Sequence, residues 1–345
     1  MAANTAQSAG QAKPTIGFAG LGSMGTRMAT RLRDADYPLV VYNRTPAKTQ
    51  PLAQRGAQVA PSPADLGRQC DVVIVMVTND DALRELVLGE QGALGGMRQN
   101  TTLISMSTVA PATTHQLQRE ATRRGVWLLD APVSGSTPQA EQGTLAIFVG
   151  GEKQCYERMR PILTTMGQQT LYMGPSGMGN AMKIVANTLL GVEMQAIAEA
   201  LALGERAGLD KPRLRDALQA AHLVTPGQQA KLANAVANQY PPTFALELMY
   251  KDFGLIQALA AQMMVPMPAT AAAQQMCAAE LTAHTRRDAN DQRAAQPEDF
   301  SAVIRFMEEL ATPNGSASSP AAASTEAADG DGTTRTQQKA GTHAL

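Results

Sequence analysis

The feature that most constrains how this chain can fold is a regular alternation, in its first half, of short β-branched segments with segments of helical spacing. Six segments look like strands: residues 15–20, 39–43, 71–77, 101–107, 126–133 and 144–151. The segments between them, such as "GTRMATRLRDA" and "TTHQLQREATRRG", repeat apolar residues at the spacing of one helix face. Strands that alternate with helices predict a parallel sheet with right-handed crossovers and a helical layer on each face. We therefore predict an α/β fold built on a doubly wound parallel sheet.

The second half of the chain lacks this alternation. Residues 180–208 read "NAMKIVANTLLGVEMQAIAEALALGERAG", a mostly apolar helix of roughly 40 Å that Gly208 would end. Helical patterns continue to residue 310, so we predict an all-α domain joined to the sheet by this long interdomain helix. The predicted bounds are 14–175 for the sheet domain and 176–311 for the helical domain. Residues 1–13 and 312–345 are predicted to be disordered, because the tail has almost no large apolar residues.

Charge and cysteine content narrow the class of partner. Lys and Arg number 29 against 30 for Asp and Glu, so the chain has no broad basic field for nucleic acid or anionic lipid. It has no run of about 18 apolar residues and no signal-peptide pattern at its start, which predicts no membrane span. Three separated cysteines are typical of reduced thiols, and no His, Cys or carboxylate cluster has metal-ligand spacing. These features favour a small-molecule partner, a cytoplasmic location and no metal.

A glycine-rich turn follows the first predicted strand. Gly20, Gly22 and Gly25 have GxGxxG spacing and lead into a helical pattern, which is the context that dinucleotide binding requires. The first glycine allows the tight bend, the second lets the backbone approach a pyrophosphate, and the third lets helix and strand pack closely. The helix start, with Ser23 and Met24, offers free N–H groups to the anion. We therefore predict a domain of the Rossmann type, with a chance glycine turn as the alternative.

The end of the second predicted strand favours NADP(H) over NAD(H). Asn43, Arg44 and Thr45 occupy the position where an NAD-binding protein would present a carboxylate to the ribose hydroxyls. A carboxylate would repel the 2′-phosphate of NADP, whereas a guanidinium can hold it with two charge-assisted hydrogen bonds. If the strand ends elsewhere, Arg44 is an ordinary solvated loop residue.

Ser134 and Gly135 are candidates for substrate binding. They stand where the chain leaves the sheet, and ligands of open α/β sheets bind beyond the carboxyl ends of strands. A hydroxyl and backbone N–H groups at that edge could hold a substrate carboxylate or carbonyl. An ordinary serine-glycine turn is the alternative.

The long helix carries one narrow polar or small stripe. Asn180, Lys183, Asn187 and Gly191 follow helical spacing on an otherwise apolar helix. A helical lysine is usually a solvated charge, but this helix is too apolar to face water, so the stripe is predicted to face the cleft between the domains. Partial burial would lower the pKa of Lys183 toward the range useful for proton transfer.

Four motifs in order carry a resemblance to a known family. They are "GFAGLGSMG", "DAPVSG" followed by "GTL", "GMGNAMKIVAN" and "KDFGLIQALA". Together they resemble the β-hydroxyacid dehydrogenase family, which includes 3-hydroxyisobutyrate dehydrogenases, tartronate semialdehyde reductases and glyoxylate/succinic semialdehyde reductases. The resemblance covers about residues 14–310 and implies hydride transfer between NADP(H) and a small carbonyl compound or β-hydroxy acid. It also implies a homodimer or homotetramer, which the apolar surface of the long helix favours independently.

The resemblance further implies the roles of individual residues. Lys183 would be the catalytic residue, Asn187 would bind the substrate beside it, and Ser134 with Gly135 would hold the substrate carboxylate. Four other residues would contact the cofactor: Met76, Val77, Thr108 and Lys251.

The chain departs from the family pattern at a few positions. Ser136 and Gln139 stand where glycine is frequent, which predicts an altered substrate pocket, and Thr78 and Ala186 replace a common proline and asparagine. Three rival functions remain. An imine reductase is expected to lack the helical lysine, 6-phosphogluconate dehydrogenase is longer and needs more cations, and a non-catalytic NADP(H)-binding scaffold needs only the glycine-rich turn. The combination of lysine, asparagine and serine favours the dehydrogenase.

Overall fold

One mixed sheet forms the first part of the molecule. The structure, a computed structural model, describes residues 12–290 and 297–312, and for residues 288–290 it describes the backbone only. Among these residues the sheet has nine strands, β1 (Ile16–Ala19), β2 (Leu39–Tyr42), β3 (Gln58–Val59), β4 (Val72–Val75), β5 (Thr102–Ser105), β6 (Trp127–Asp130), β7 (Val133–Ser134), β8 (Leu145–Gly151) and β9 (Gly167–Gly174). Their order is β3-β2-β1-β4-β5-β6-β8-β7, and β9 also pairs with β8.

The sheet is mostly parallel, with one antiparallel insertion. The six neighbouring strands β3-β2-β1-β4-β5-β6 all pair in parallel, as the alternation with helices predicts. Strand β8, however, runs antiparallel to both β6 and β7. The segment predicted as one strand over 126–133 is two strands, because the chain leaves β6 after Asp130 and pairs again only at Val133. Two strands were not predicted. Strand β3 has only two residues, and β9 exposes much of its polar sequence.

Helices cover both faces of the sheet. They are α1 (Ser23–Asp34), α2 (Gln50–Ala53), α3 (Pro63–Gln69), α4 (Asp80–Leu88), α5 (Ala93–Gly96), α6 (Pro111–Arg123), α7 (Thr137–Gln142) and α8 (Lys153–Leu163), with a 3-10 turn at Pro46–Thr49. Successive residues of one strand pack into two different hydrophobic cores, one on each face of the sheet. In β4, Val72 and Ile74 join the core under α1 and α8, whereas Val73 and Val75 join the core under α3, α4 and α6. This two-sided burial explains why the parallel strands are continuous apolar runs.

The long helix is present and opens an all-α part. Helix α9 spans Met178–Arg206, against the predicted 180–208, and Gly208 follows it with a φ of +93° that suits a glycine at a helix end. The helices after it are α10 (Lys211–Ala220), α11 (Pro226–Val236), α12 (Leu246–Gln262), α13 (Pro268–Asn290) and α14 (Val303–Ala311), with a 3-10 turn at Phe300–Ala302. Their core is built around the inner face of α9, to which Met194, Ala198 and Leu201 contribute.

Helix α9 is also long and apolar enough, by length and composition, to cross a bilayer. A core helix passes the same test, and here the polar residues Asn180, Lys183 and Asn187 are all buried against other parts of the protein. The segments predicted as disordered, 1–13 and 312–345, lie outside the described residues except at positions 12, 13 and 312.

Candidate active site

The glycine-rich turn has the geometry of a phosphate-binding loop. Gly20 has a φ of +94° and lies so close to the Met76 carbonyl that a Cβ there would overlap it. A Cβ on Gly25 would overlap the Gly20 carbonyl, so this glycine lets α1 pack directly on the turn. Gly22, in contrast, is exposed and has open space where its Cβ would lie. As the N-cap of α1 without a side-chain cap, it leaves the first N–H groups of the helix available to a pyrophosphate.

A side chain that directly follows β2 is hydrogen-bonded to this turn. Asn43 Oδ1 accepts a hydrogen bond of 2.9 Å from the Leu21 N–H, and Asn43 Nδ2 donates to the Thr45 carbonyl at 3.0 Å. The Asn43 amide therefore connects the turn after β1 to the loop after β2. Its predicted contact with the cofactor stays a prediction. Arg44 and Thr45 are exposed beside it, and no ion pair within the described ranges includes Arg44. Its guanidinium is therefore available to a ligand.

The loops after β4 and β5 are tied to each other and to the helical part. The Val77 N–H donates to Ser107 Oγ at 2.8 Å, which joins the two loops. Lys251 Nζ, on α12, donates to the Thr108 carbonyl at 2.8 Å. The structure thus brings three predicted cofactor residues, Val77, Thr108 and Lys251, to the edge of the sheet that carries the glycine-rich turn.

The polar stripe on α9 is buried along its whole length. Only 8% of Lys183 and 1% of Asn187 are exposed, and Asn180 is fully buried. Gly191 lies against the ring of Phe253, where any Cβ would overlap, so it lets α12 pack closely on α9. Within residues 12–290 and 297–312, the Lys183 ammonium has no hydrogen-bond or ion-pair partner. It is a buried and unpaired cation, which a fold does not retain for stability alone.

Burial dominates the electrostatics of this lysine. The pKa of Lys183 is lowered from 10.5 to about 8, chiefly because burial removes solvation from the ammonium. The carboxylate of Asp252 opposes this shift, and the positive charge of Lys251 adds to it. The amine is therefore mostly protonated at neutral pH, yet a rise of one or two pH units is enough to remove its proton. This is the range in which one group can act as both a general acid and a general base.

Asp252, on α12, is a site residue that the sequence analysis missed. Its Oδ2 accepts a hydrogen bond of 2.5 Å from Asn187 Nδ2, and its Oδ1 lies 2.7 Å from Lys251 Nζ. The carboxylate is 2% exposed, so it fixes the Asn187 amide and the Lys251 ammonium from within the protein. A carboxylate on an apolar helix, directly after a lysine with a suggested role, is the sequence signal that could have identified it.

Ser134 and Gly135, the other predicted substrate residues, lie on the sheet. Ser134 is half-buried at the end of β7 and pairs with Ala146 of β8, and Gly135 follows with a φ of +123°. No hydrogen bond in the described chain joins either residue to α9. Strand β8 contacts both regions, because it pairs with β7 and its Phe148 carbonyl lies against Gly179 at the start of α9.

Two of the departures from the family pattern, Ser136 and Gln139, are bonded to each other. The backbone N–H and the hydroxyl of Ser136 both donate to Gln139 Oε1, at 3.0 and 2.8 Å. These bonds cap α7 and fix the turn that carries Ser134 and Gly135. Thr78 is exposed directly before Asn79, whose side chain caps α4. For metal binding, no group of three or more His, Cys, Asp or Glu side chains is placed for an ion within the described residues.

A Rossmann sheet with an open glycine-rich turn, followed by a helical part that buries a lysine, defines a dinucleotide-dependent oxidoreductase. Comparison with known proteins agrees. Residues 15–174 match the family described as the NAD binding domain of 6-phosphogluconate dehydrogenase. Residues 177–305 match the family described as the NAD-binding of NADP-dependent 3-hydroxyisobutyrate dehydrogenase.

Three relatives specify the family further. A 3-hydroxyisobutyrate dehydrogenase from Pseudomonas aeruginosa is 35% identical over 298 residues, 84% of this chain and 97% of the relative. Glyoxylate/succinic semialdehyde reductase 1 from Arabidopsis thaliana is 34% identical over 258 residues, 75% of this chain and 89% of the relative. The crystal structure of 3-hydroxyisobutyrate dehydrogenase from Salmonella typhimurium aligns with a TM-score of 0.75 at 26% identity, over 85% of this chain and 99% of the other. The chain therefore belongs to the 3-hydroxyisobutyrate dehydrogenase-like β-hydroxyacid dehydrogenase family, and it is an NAD(P)-dependent dehydrogenase or reductase.

Proposed function

We propose that this protein transfers a hydride between NADP(H) and a small β-hydroxy acid or the corresponding aldehyde or ketoacid, with Lys183 as the general acid and base. The observation that carries the proposal is the unpaired ammonium of Lys183, buried on the stripe of α9. A cation without a protein partner in such a place is suited to a substrate oxygen that becomes negative during the reaction.

The side chains around the lysine fit this role. In the reducing direction, the protonated Lys183 amine stabilises the substrate oxygen as its carbon receives a hydride, and Nζ then donates a proton to that oxygen. In oxidation, Nζ accepts the proton of the substrate hydroxyl. Asp252 holds the Asn187 amide in one orientation, one helical turn from Lys183, so that the amide can bind the substrate beside the reacting carbon. Nicotinamide, when bound, supplies or accepts the hydride.

The substrate is a small acid, as the names of the relatives indicate. We infer that its carboxylate is held by the hydroxyl of Ser134 and the backbone N–H of Gly135. The bonds of Ser136 to Gln139 support this inference, because they make the turn rigid before the substrate binds. The exposed Arg44 at the end of β2 supports a preference for NADP(H), since a guanidinium fits the 2′-phosphate.

We also propose that the protein forms a homo-oligomer and is located in the cytoplasm. Val185, Leu189 and Leu203 form an exposed apolar stripe along α9, 54%, 60% and 73% exposed, which supports packing of this helix against a second copy in a homodimer or homotetramer. The three cysteines of the chain are all buried and unpaired, which supports a reducing, cytoplasmic location. The balance of 29 Lys and Arg against 30 Asp and Glu gives no reason to propose nucleic acid as a partner.

The rivals are an imine reductase and a non-catalytic NADP(H)-binding scaffold. Lys183→Ala tests both. We expect the variant to lose at least about a hundredfold in turnover with unchanged NADPH affinity, because it loses acid-base and oxyanion contributions but no cofactor contact. The measurement follows NADPH absorbance with a panel of aldehydes, ketoacids and imines. Lys153→Ala, at an exposed lysine of α8, is the matched control.

Each rival gives its own result in this panel. Turnover of imines alone would establish the imine reductase. NADPH binding without turnover of any compound would establish the scaffold. Near-normal turnover of semialdehydes or ketoacids by Lys183→Ala would show that another group is the acid.

A further inference from the structure

Asp130, at the carboxyl end of β6, caps the helix that carries Lys183. Its Oδ1 accepts a hydrogen bond from the Gly177 N–H and its Oδ2 accepts one from the Asn180 N–H, both at 2.8 Å. Asp130 is fully buried, and Gly177, the N-cap of α9, has no side chain that could cap the helix. A carboxylate that is 47 residues away in the sequence thus replaces the local cap.

Asn180 fixes the same helical turn to the neighbouring strand. Its Oδ1 accepts from the Val109 N–H at 3.0 Å, in the loop after β5, and its Nδ2 donates to Thr114 Oγ1 of α6 at 3.2 Å. The loop after β5 is also the one whose Thr108 carbonyl accepts from Lys251. The first turn of α9 is therefore bonded to the carboxyl ends of β5 and β6, and Lys183 lies one turn further along.

Close packing prevents this turn from sliding or rotating. A Cβ on Gly179 would lie 2.5 Å from the Asp130 carbonyl oxygen and 2.6 Å from the Phe148 carbonyl oxygen. A Cβ on Gly177, whose φ is +94°, would lie 2.6 Å from His115 Nε2. The backbone of α9 thus approaches β6, β8 and α6 as closely as only glycine permits.

We propose that Asp130 is a positioning residue, which through its two hydrogen bonds to the first turn of α9 sets the place of the Lys183 amine relative to the carboxyl edge of the sheet. This inference rests on the proposed function, because it assigns Lys183 the role of acid and base. The effect of Asp130 is geometric. The charges that act on the pKa of Lys183 are those of Asp252 and Lys251, not that of Asp130.

The charge state of Asp130 gives a separate readout. Burial raises the pKa of Asp130 to about 6, although the Gly177 and Asn180 N–H groups and the His115 side chain favour the carboxylate. His115, on α6, is the titratable group that faces it. A protonated Asp130 would place its O–H against a backbone N–H and would lose one of its two hydrogen bonds to the start of α9. Turnover should then fall as the pH drops through about 6.

The test compares Asp130→Asn with the wild type in NADPH-dependent reduction between pH 5 and 9. The variant keeps the shape of the side chain but has one acceptor oxygen, so we expect kcat at pH 7.5 to fall about tenfold to a hundredfold, with unchanged NADPH affinity. The acid fall near pH 6 should disappear, while the alkaline fall near pH 8 from Lys183 should remain. His115→Asn should keep the acid fall but move it to a higher pH, because the variant loses a side chain that favours the Asp130 carboxylate. Amide hydrogen exchange of residues 177–183 should accelerate in Asp130→Asn.

The outcomes separate this inference from the proposed function. Wild-type turnover and pH profile in Asp130→Asn, together with an inactive Lys183→Ala, would overturn the inference alone. A loss of turnover with unchanged amide exchange and a persistent acid fall would overturn it as well. If Lys183→Ala stays active, the proposed function fails, and amide exchange still tests whether Asp130 fixes the helix. If Asp130→Asn does not fold, the wild type tests the inference: as the pH drops through about 6, turnover should fall and residues 177–183 should lose amide protection, and constant turnover with constant protection would overturn it. Asn180→Ala, which loses the bonds to Val109 and Thr114 but keeps both Asp130 bonds, should retain this acid fall.

Discussion

At the scale of single residues, the site depends on which polar side chains have protein partners and which do not. Asn187 and Lys251 are held by Asp252, and Asn43 is held by the loops it joins. Lys183 and Arg44 have no partner in the described part of the chain. Paired groups set geometry, whereas an unpaired cation is available to a ligand. We therefore expect the two unpaired cations to meet the charged parts of substrate and cofactor.

Arg44 gives a direct test of cofactor preference. Arg44→Ala should weaken NADPH binding by about tenfold to a hundredfold, since the variant loses two charge-assisted hydrogen bonds, and should leave NADH binding unchanged. Fluorescence titration with each cofactor measures both constants. Arg119→Ala, an exposed arginine on α6, should alter neither. Equal affinity of the wild type for NADPH and NADH would contradict the preference.

At the scale of elements, the sequence allowed good predictions where burial imposes a pattern. The parallel strands β1, β2, β4 and β5 and the helix α9 were predicted to within a few residues, because each is buried strongly enough to give a continuous apolar run or a long helical pattern. Strands β3 and β9 could not be predicted this way, because one has two residues and the other has exposed polar positions.

Parts of the site were beyond sequence reasoning for a different reason. Asp130 and Asp252 act on residues of α9 that are 47 to 65 positions away in the chain. Periodicity within a segment carries no information about such partners. The stripe on α9 could be recognised because its members lie on one helix. The sequence did not show that the end of β6 and helix α12 hold this stripe in place.

The exposed face of α9 gives a prediction about assembly. Val185, Leu189 and Leu203 lie along one side of the helix, opposite the residues that join the core. The double variant Leu189→Glu and Leu203→Glu should convert the oligomer to a monomer, because two buried carboxylates would lack partners in the interface. Size-exclusion chromatography with light scattering gives the mass. Val59→Glu, at an exposed position of β3, should leave the mass unchanged, and a wild-type monomer would contradict the proposal.

At the scale of the whole molecule, the buried ammonium of Lys183 should lower the stability of the fold. In the unfolded chain this lysine keeps its proton up to a pKa of 10.5, but in the folded protein the pKa is about 8. Between these values the unfolded state binds more protons, so the free energy of unfolding contributed by Lys183 rises with pH. At pH 7 both states are protonated, and the folded state carries the full cost, on the order of 3 kcal/mol.

Lys183→Met tests this conflict between activity and stability. The apolar side chain has a similar length and no charge, so the variant should be inactive but more stable than the wild type at pH 7, by about 1–3 kcal/mol. Chemical denaturation at several pH values should show this advantage shrinking from pH 8 to 10.5, as the wild-type amine loses its proton. Lys251→Met should behave in the opposite way, because Lys251 is paired with Asp252 and bonded to Thr108, and its loss leaves a buried carboxylate with one partner fewer. A Lys183→Met protein that is less stable than the wild type at pH 7 would mean that the ammonium is satisfied within the fold, and it would remove the physical reason for placing it opposite a substrate oxygen.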